Sequence, residues 1–337
     1  VAEIAYFVHG RGRGHASRAA TVLPRLRGLG HRVTVFAGGD ALDLLDPAGI
    51  IPAEPLPPGL GAMRVFARRL PEAIHQLRER QIQLVLSDGD APSVHAARRL
   101  HLPLISLGHD QVFLRCAVPP GLPRRALWSE RAVGWATSRG ARFAVAVHFL
   151  PIAPSQPGTW VARPDPPELP GPTPQSPATG PWVAYLRDGE GEDLLEAAAR
   201  QGLAVRCFGR LRRPIPGVEA RPFSRPEFLT ALARAPAVLA TAGSNLLAEC
   251  IFLRIPIFAV YAPGDHEQRL NAHMAQEAGV ALAAALPRAA AQLPAFCSRL
   301  AAGGFCSVDL TAALPPLSQA LPEAIDAALN QPRSRPR

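Results

Sequence analysis

The sequence predicts an α/β protein of two domains, each a doubly wound parallel sheet wrapped by helices. Three features carry this prediction. Short apolar runs alternate with helical stretches across residues 1–150, a proline-dense linker spans 151–180, and the alternation resumes at Trp182 and fills 181–337. At 337 residues, each half has the size of an ordinary domain with its own core.

In the first half the strands are Ile4–Val8, Val33–Phe36, Leu84–Leu86, Leu104–Leu107 and Phe143–Val147. After the first strand, Ala16, Ala19, Ala20, Leu23 and Leu26 mark one face of a helix. Ala41–Ala48 reads as a short helix stopped by Gly49, and Met63–Arg80 as a longer one interrupted near Pro71. The segment between them, Ile51 to Gly61, reads as a loop able to line an acceptor pocket. Pro164, Pro166, Pro167, Pro170, Pro172, Pro174 and Pro177 then exclude a packed helix or a central strand. Strand Trp182–Leu186 restarts the pattern with a turn at Arg187–Gly191. Helix Leu194–Gln201, strand Val205–Phe208, helix Arg225–Arg234, strand Val238–Ala240, helix Leu246–Phe252 and strand Ile257–Val260 follow. Leu321–Leu329 is expected to close the C-terminal domain as a helix, with Arg333–Arg337 frayed. Two such domains imply a cleft between them, with ligands at the carboxyl ends of the strands.

Composition narrows the chemistry. The formal charge is +9, yet every one of the 36 basic residues is arginine. That excludes a Walker-type phosphate loop, a pyridoxal phosphate Schiff base and a lysine nucleophile. An arginine bias shared with abundant alanine and proline says little about nucleic acid, and no nucleic-acid partner is expected; anionic ligands or an anionic membrane surface remain compatible. Cys116, Cys207, Cys250, Cys297 and Cys306 are odd in number and scattered, which suits reduced thiols better than disulfides or zinc. No run of about 18 apolar residues appears. No signal segment precedes the first strand, so a cytoplasmic protein is expected.

The run His9-Gly10-Arg11-Gly12-Arg13-Gly14-His15-Ala16-Ser17-Arg18 turns the first strand into the first helix. A dinucleotide fingerprint would need a third glycine at position 15 or 17, where His15 and Ser17 stand. A histidine at the helix start exchanges protons near neutral pH, which an anion cradle does not need. Asp88 follows strand Leu84–Leu86 and reaches the same sheet edge, so it can hold one imidazole nitrogen while the other takes a proton. Asp90 and Asp110 compete for that role, and an aspartate there can equally cap a helix.

Two further constellations lie in the second half. In Thr241-Ala-Gly243-Ser244-Asn245, followed by Glu249, a glycine turn opens a helix whose amides and Ser244 hydroxyl can bind a diphosphate without lysine or metal. Glu249, about one turn on, can accept from vicinal hydroxyls such as those of a ribose. In Gly264-Asp-His-Glu267-Gln268-Arg-Leu-Asn271-Ala-His273, a carboxylate beside an amide can bind sugar hydroxyls. His266 and His273 are seven apart, which does not make a zinc site.

Taken together, Gly12-Arg-Gly14-His15 with Arg18, Leu86-Ser-Asp88, Thr241–Asn245 with Glu249, and Glu267-Gln268 with Asn271 resemble the GT-B superfamily of nucleotide-sugar glycosyltransferases. The resemblance lies nearest the peptidoglycan N-acetylglucosaminyltransferase and the UDP-glycosyltransferases. It covers both halves in order and implies two Rossmann-like domains facing a central cleft. It implies His15 as catalytic base with Asp88 as its orienter, and an inverting, metal-independent transfer with no cofactor beyond the sugar nucleotide. Gly243, Ser244 and Asn245 would meet the diphosphate, Glu249 the ribose, Glu267 and Gln268 the donor sugar, and Phe223 the nucleobase; Gly12, Gly14, Arg18 and Asn271 would also contact substrate. The donor would be an NDP-sugar, UDP-linked. The acceptor would be a small molecule, a glycan or a lipid-linked group, the last suggested by Arg115, Arg124, Arg125, Arg131, Trp128 and Trp135, which suit peripheral contact with the inner face of a membrane. Arg11 and Arg13 replace small residues of the relatives, and Leu186–Glu190 lacks the small-residue loop of the peptidoglycan enzyme. Gly12 to Arg18 also fits the Gly-x-Gly-His-x-x-Arg opening of nucleotide-sugar hydrolases. Hydrolysis, epimerisation and non-catalytic sugar-nucleotide binding are therefore the alternatives.

Overall fold

The computed structural model describes residues 1–57, 59–169, 180–186 and 189–331. Most of the proline-rich run, the turn residues 187–188 and the expected frayed tail lie outside them. The chain divides into two compact units. One takes in Val1–Val118, Trp128–Asp165 and the chain from Leu314, and the other Pro119–Leu127 and Pro166–Ala313.

The first unit contains β1 (Glu3–Val8), α1 (Arg13–Gly28), β2 (Arg32–Ala37), a 3-10 turn at Gly39–Asp43, β3 (Ile50–Pro52), α2 (Gly61–Glu79), β4 (Leu84–Asp88), α3 (Ala91–Arg99), β5 (Leu104–Gly108) and α4 (Asp110–Arg115). Helix α5 (Arg124–Ser138), which belongs to this unit from Trp128 on, β6 (Phe143–Val147) and β7 (Thr159–Ala162) follow. All seven strands run parallel in the order β3-β2-β1-β4-β5-β6-β7. Alternate strand residues face opposite sides, and both sides are covered, which is why these strands read as continuous apolar runs. Ile4, Tyr6, Leu84, Leu86 and Val145 pack with Ala16, Ala19 and Leu26 of α1. Ala5, Phe7 and Val85 pack with Ala73 and Leu77 of α2 and Val94 of α3.

The second unit contains β8 (Trp182–Tyr185), α6 (Glu192–Arg200), β9 (Val205–Phe208), β10 (Val218–Arg221), α7 (Arg225–Leu232), β11 (Val238–Thr241), α8 (Ser244–Phe252), β12 (Ile257–Tyr261), α9 (His266–Glu277), β13 (Ala281–Ala285), α10 (Leu286–Ala301) and α11 (Leu310–Ala313). Its parallel strands are ordered β10-β9-β8-β11-β12-β13. Trp182, Ala184, Leu239 and Phe258 pack with Leu194 and Leu195 of α6 and Leu293 and Phe296 of α10. In each sheet the winding direction reverses once, between β1 and β4 and between β8 and β11. Such switch points leave a crevice at the strands' carboxyl ends.

Several expectations change. The expected closing helix of the C-terminal domain is α12 (Leu317–Leu329), and it belongs to the first unit. Its apolar face, Leu317, Leu321, Ala324 and Ile325, completes the core over β4, β5 and β6. Backbone bonds Arg163 N→Pro315 O (3.0 Å) and Leu317 N→Arg163 O (3.0 Å) fasten the entry to it. Within the span expected as linker, Thr159–Ala162 is an edge strand beside β6, where its proline-free stretch can pair on one side. Ile50–Pro52, expected at the edge of a loop, pairs with β2. The expected Ala41–Ala48 helix is only the 3-10 turn Gly39–Asp43. Helix α2 runs unbroken through Pro71, because the bond lost to the Ala67 carbonyl lies on its exposed face.

Candidate active site

The turn between β1 and α1 is shaped by its glycines. Gly12 has φ +79° and ψ 154°, a conformation open essentially to glycine, and its N–H donates to Asp40 Oδ2 at 2.7 Å. The amide of Gly12, a residue expected to contact substrate, is therefore held by the protein's own carboxylate. Gly14 lies in the first turn of α1, and His15 follows one residue later. Beside β1 runs β4, with Val8 in register with Asp88, so the end of β4 meets the start of α1 at the switch point.

His15 Nδ1 lies 2.6 Å from Asp88 Oδ1. Asp88 is fully buried and also receives Arg18 Nη2 on Oδ1 at 2.7 Å, Arg18 Nε on Oδ2 at 3.2 Å and the Tyr6 hydroxyl on Oδ2 at 3.4 Å. A carboxylate only accepts, so Nδ1 carries the proton and donates it, which in a neutral ring leaves the lone pair on Nε2. Burial pushes the Asp88 carboxyl up, but Arg18 and His15 outweigh it and hold the group at about 2. Burial likewise opposes the Arg18 charge, and Asp88 more than restores it, raising that guanidinium above its ordinary value. The His15 side chain retains 26% exposure.

The competing carboxylates have other work. Asp90 caps α3 by accepting from Ser93 N at 3.0 Å and pairs with the buried Arg69 at 2.5 Å. Asp110 accepts from Thr137 Oγ1 at 2.7 Å and Gln111 Nε2 at 2.9 Å on one oxygen, and burial raises its carboxyl. His9 packs edge-on to His15 with ring centroids 5.3 Å apart; burial, then His15, lowers it to about 4.

In the second unit, Gly243 is the residue before α8 and has no side chain with which to cap it, and Ser244 and Asn245 open that helix half-buried. Glu249, 8% exposed, is held by both terminal nitrogens of Arg225, one at 3.2 Å from Oε2 and the other on Oε1. Phe223 packs at a tilt against Tyr185 (ring centroids 5.3 Å apart) and Phe228 (5.6 Å) at the carboxyl edge of this sheet. Asp265 caps α9 by accepting from Gln268 N at 3.0 Å; Glu267 lies in that first turn, and Gln268 Oε1 is buried without a hydrogen-bond partner among the described residues. Among the described residues no group of three His, Cys, Asp or Glu is arranged to hold a metal.

Three placements correct the sequence reading. Arg18, expected at substrate, is 6% exposed and turned onto Asp88. Asn271, likewise expected there, is fully buried and donates Nδ2 to the Ala242 carbonyl at 3.0 Å, tying α9 to the turn that opens α8. Arg115, counted in a surface patch, is 8% exposed and donates to Ala141 O at 2.5 Å. Trp128 and Trp135 do stand out, 75% and 53% exposed, one heptad apart on α5, with Arg139 4.8 Å over the Trp135 ring. Arg131, between them, is exposed while its Nε donates to Phe113 O at 3.0 Å. Sequence reading missed Tyr6 and His9, which look like core and loop, and Arg225, which carries no local signal. For Tyr6 the signal was strand alternation: it shares a face with Val8, the register partner of Asp88.

The family model of Glycosyl transferase family 1 matches residues 60–301. No curated protein matches. Among solved structures, the Streptomyces sp. SF2575 glycosyltransferase SsfS6 is 18% identical over 97% of this chain and 100% of its own, with a TM-score of 0.64. The calicheamicin glycosyltransferase CalG4 is 18% identical over 98% of each chain, at 0.66. Acinetobacter baumannii MurG is 18% identical over 98% of this chain and 100% of its own, at 0.60. A further structure of SsfS6 is complexed with thymidine diphosphate. The two parallel-sheet units have the GT-B fold of these neighbours.

Proposed function

As a member of Glycosyl transferase family 1 the chain is a glycosyltransferase, and we propose that it moves a sugar from a nucleoside diphosphate to an acceptor hydroxyl with His15 as general base. The observation that carries this is the 2.6 Å contact between His15 Nδ1 and buried Asp88. It leaves Nε2 of this partly exposed side chain as an oriented base at a sheet switch point. In the proposed reaction Nε2 takes the acceptor's hydroxyl proton as its oxygen bonds to the anomeric carbon. The bond from that carbon to the diphosphate breaks with the electron pair leaving on phosphate oxygen, and the configuration inverts. The opening amides of α8, with Ser244, would meet the diphosphate charge. Glu249 would serve the ribose, Phe223 the base, and Glu267 and Gln268 the sugar; the unpartnered Gln268 Oε1 supports the last. No step here calls for a metal.

UDP is the nucleotide that the sequence resemblance implies. One structural neighbour is complexed with thymidine diphosphate, so both nucleotides belong in the test. The exposed Trp128 and Trp135 with Arg131 and Arg139 support a membrane-surface role for α5, which would suit a lipid-linked acceptor.

The test measures UDP or dTDP release from UDP- and dTDP-sugars with and without a panel of hydroxyl acceptors. Release should depend on acceptor and vanish in His15→Ala while nucleotide binding survives. Full-rate release to water alone would replace transfer by hydrolysis, and near-full turnover in His15→Ala would remove the base.

A further inference from the structure

The spacing His15 to Arg18 is three residues, so both side chains leave the same face of α1 and reach one carboxylate from adjacent turns. Arg18 spends its fork on that carboxylate, with Nη2 on Oδ1 at 2.7 Å and Nε on Oδ2 at 3.2 Å. Its side chain is 5% exposed and Asp88 has no exposure at all, which leaves the guanidinium little access to a substrate. The same Nη2 lies 3.0 Å from His15 Nδ1.

We infer that Arg18 is a positioning residue that supplies the counter-charge for buried Asp88 and so keeps the His15 imidazole neutral, with Nε2 free to accept a proton. The inference rests on His15 being the base. A buried carboxylate without a counter-charge draws a proton onto whatever neighbour can carry one, and here that neighbour is the imidazole. An imidazole already protonated accepts nothing further. With Arg18 present the carboxylate is balanced, and an imidazolium would bring two cations within hydrogen-bond distance. Asp88 can then orient His15 through Nδ1 without forcing a full ion pair upon it.

The other groups around His15 do not supply this balance. Tyr6, from β1, donates a neutral hydroxyl to Asp88. His9, beyond β1, lies edge-on, and its preference for the neutral form keeps it from serving as the cation. Asp110, beyond β5, is anionic when ionised and would favour the imidazolium. Asp90 is occupied by Arg69 of α2, and Arg11 acts on His9.

The test is a 15N NMR titration of the histidine rings in the full chain, with His15 assigned by His15→Gln. In Arg18→Gln the His15 ring should titrate at a pH higher than in the wild type by about one unit or more, and the acid limb of turnover should move with it. Binding of UDP and dTDP should change by less than about twofold, because Arg18 touches Asp88 rather than nucleotide. Arg18→Lys, which keeps the charge but not the fork, should recover part of the shift. An unchanged His15 titration, or a loss of nucleotide binding with the titration unmoved, would overturn the inference. If Arg18→Gln does not fold, the wild-type ring decides: the neutral Nδ1–H tautomer at pH 7.5 supports it, and the imidazolium or the Nε2–H tautomer sinks it. Failure of the base reading looks different, because His15→Ala would then retain turnover whatever the titration shows.

Discussion

Asn271, on α9, donates its side-chain amide to the carbonyl of Ala242 across 29 residues of chain, from a position with no solvent exposure. The bond fixes the turn from which Gly243 and Ser244 start α8. Asn271→Ala leaves that buried carbonyl with one partner fewer, which should cost about 1–3 kcal/mol of stability, read by denaturant unfolding. The variant should also bind UDP or dTDP several-fold more weakly, without any shift in the pH dependence of turnover. Unchanged stability and binding would show that the turn holds itself.

Gly89 follows Asp88 with φ +74°, and a Cβ built there would lie 3.0 Å from His15 Cε1 and 3.4 Å from His9 Cβ. Gly89→Ala therefore imposes both backbone strain and pressure on the imidazole. Turnover should fall by about tenfold or more, since small displacements of a base are costly. Nucleotide affinity should stay near the wild-type value. A drop in affinity matched to the drop in turnover would point to general unfolding instead.

Acid stability should fall in two stages. His9 titrates at about 4 in the folded chain and near 6.5 unfolded, so between those values the unfolded chain binds more protons. Its contribution is present above pH 6.5 and is lost as the pH falls toward 4, by roughly 3 kcal/mol at most. Buried His148, lowered by burial and then by His109, acts in the same direction. Asp88, held at about 2, adds a second loss as the pH falls below its ordinary 3.8. Chemical denaturation from pH 7 to 4 should show the first decline, and His9→Gln should flatten it.

The two exposed tryptophans of α5 predict binding to vesicles of mixed phosphatidylcholine and phosphatidylglycerol at low salt. Burying two indoles at a lipid interface and placing Arg131 and Arg139 near anionic headgroups both favour association. Trp128→Ser with Trp135→Ser should cut the co-floated fraction by about tenfold or more. Flotation that survives this pair of changes, or none in the wild type, would remove the membrane role.

Much of the fold was legible because its causes are local. Apolar runs bounded by glycine and proline mark strands wherever both sheet faces are covered, and Phe143–Val147 and Val205–Phe208 appear with the expected bounds. Strands β10 and β13 escaped because half of Val218–Arg221 is charged, at a sheet edge, and Ala281–Ala285 is almost all alanine, which has no strong preference for a strand. Helix α10 also escaped, with Pro294 inside an otherwise helical run.

By itself the sequence determined that His15 opens a helix behind a glycine turn and that Asp88, Asp90 and Asp110 stand at or just past strand ends. Those are consequences of helical and strand periodicity, which operate over a few residues. Only the tertiary structure decided that Asp88 meets His15 across 73 residues, since that depends on β4 lying next to β1. Tertiary packing likewise turned Arg18 and Asn271 inward and set α12 on the first unit. A buried charge or amide takes the partner that compensates its lost water, and which partner lies within reach is set by the order of the strands.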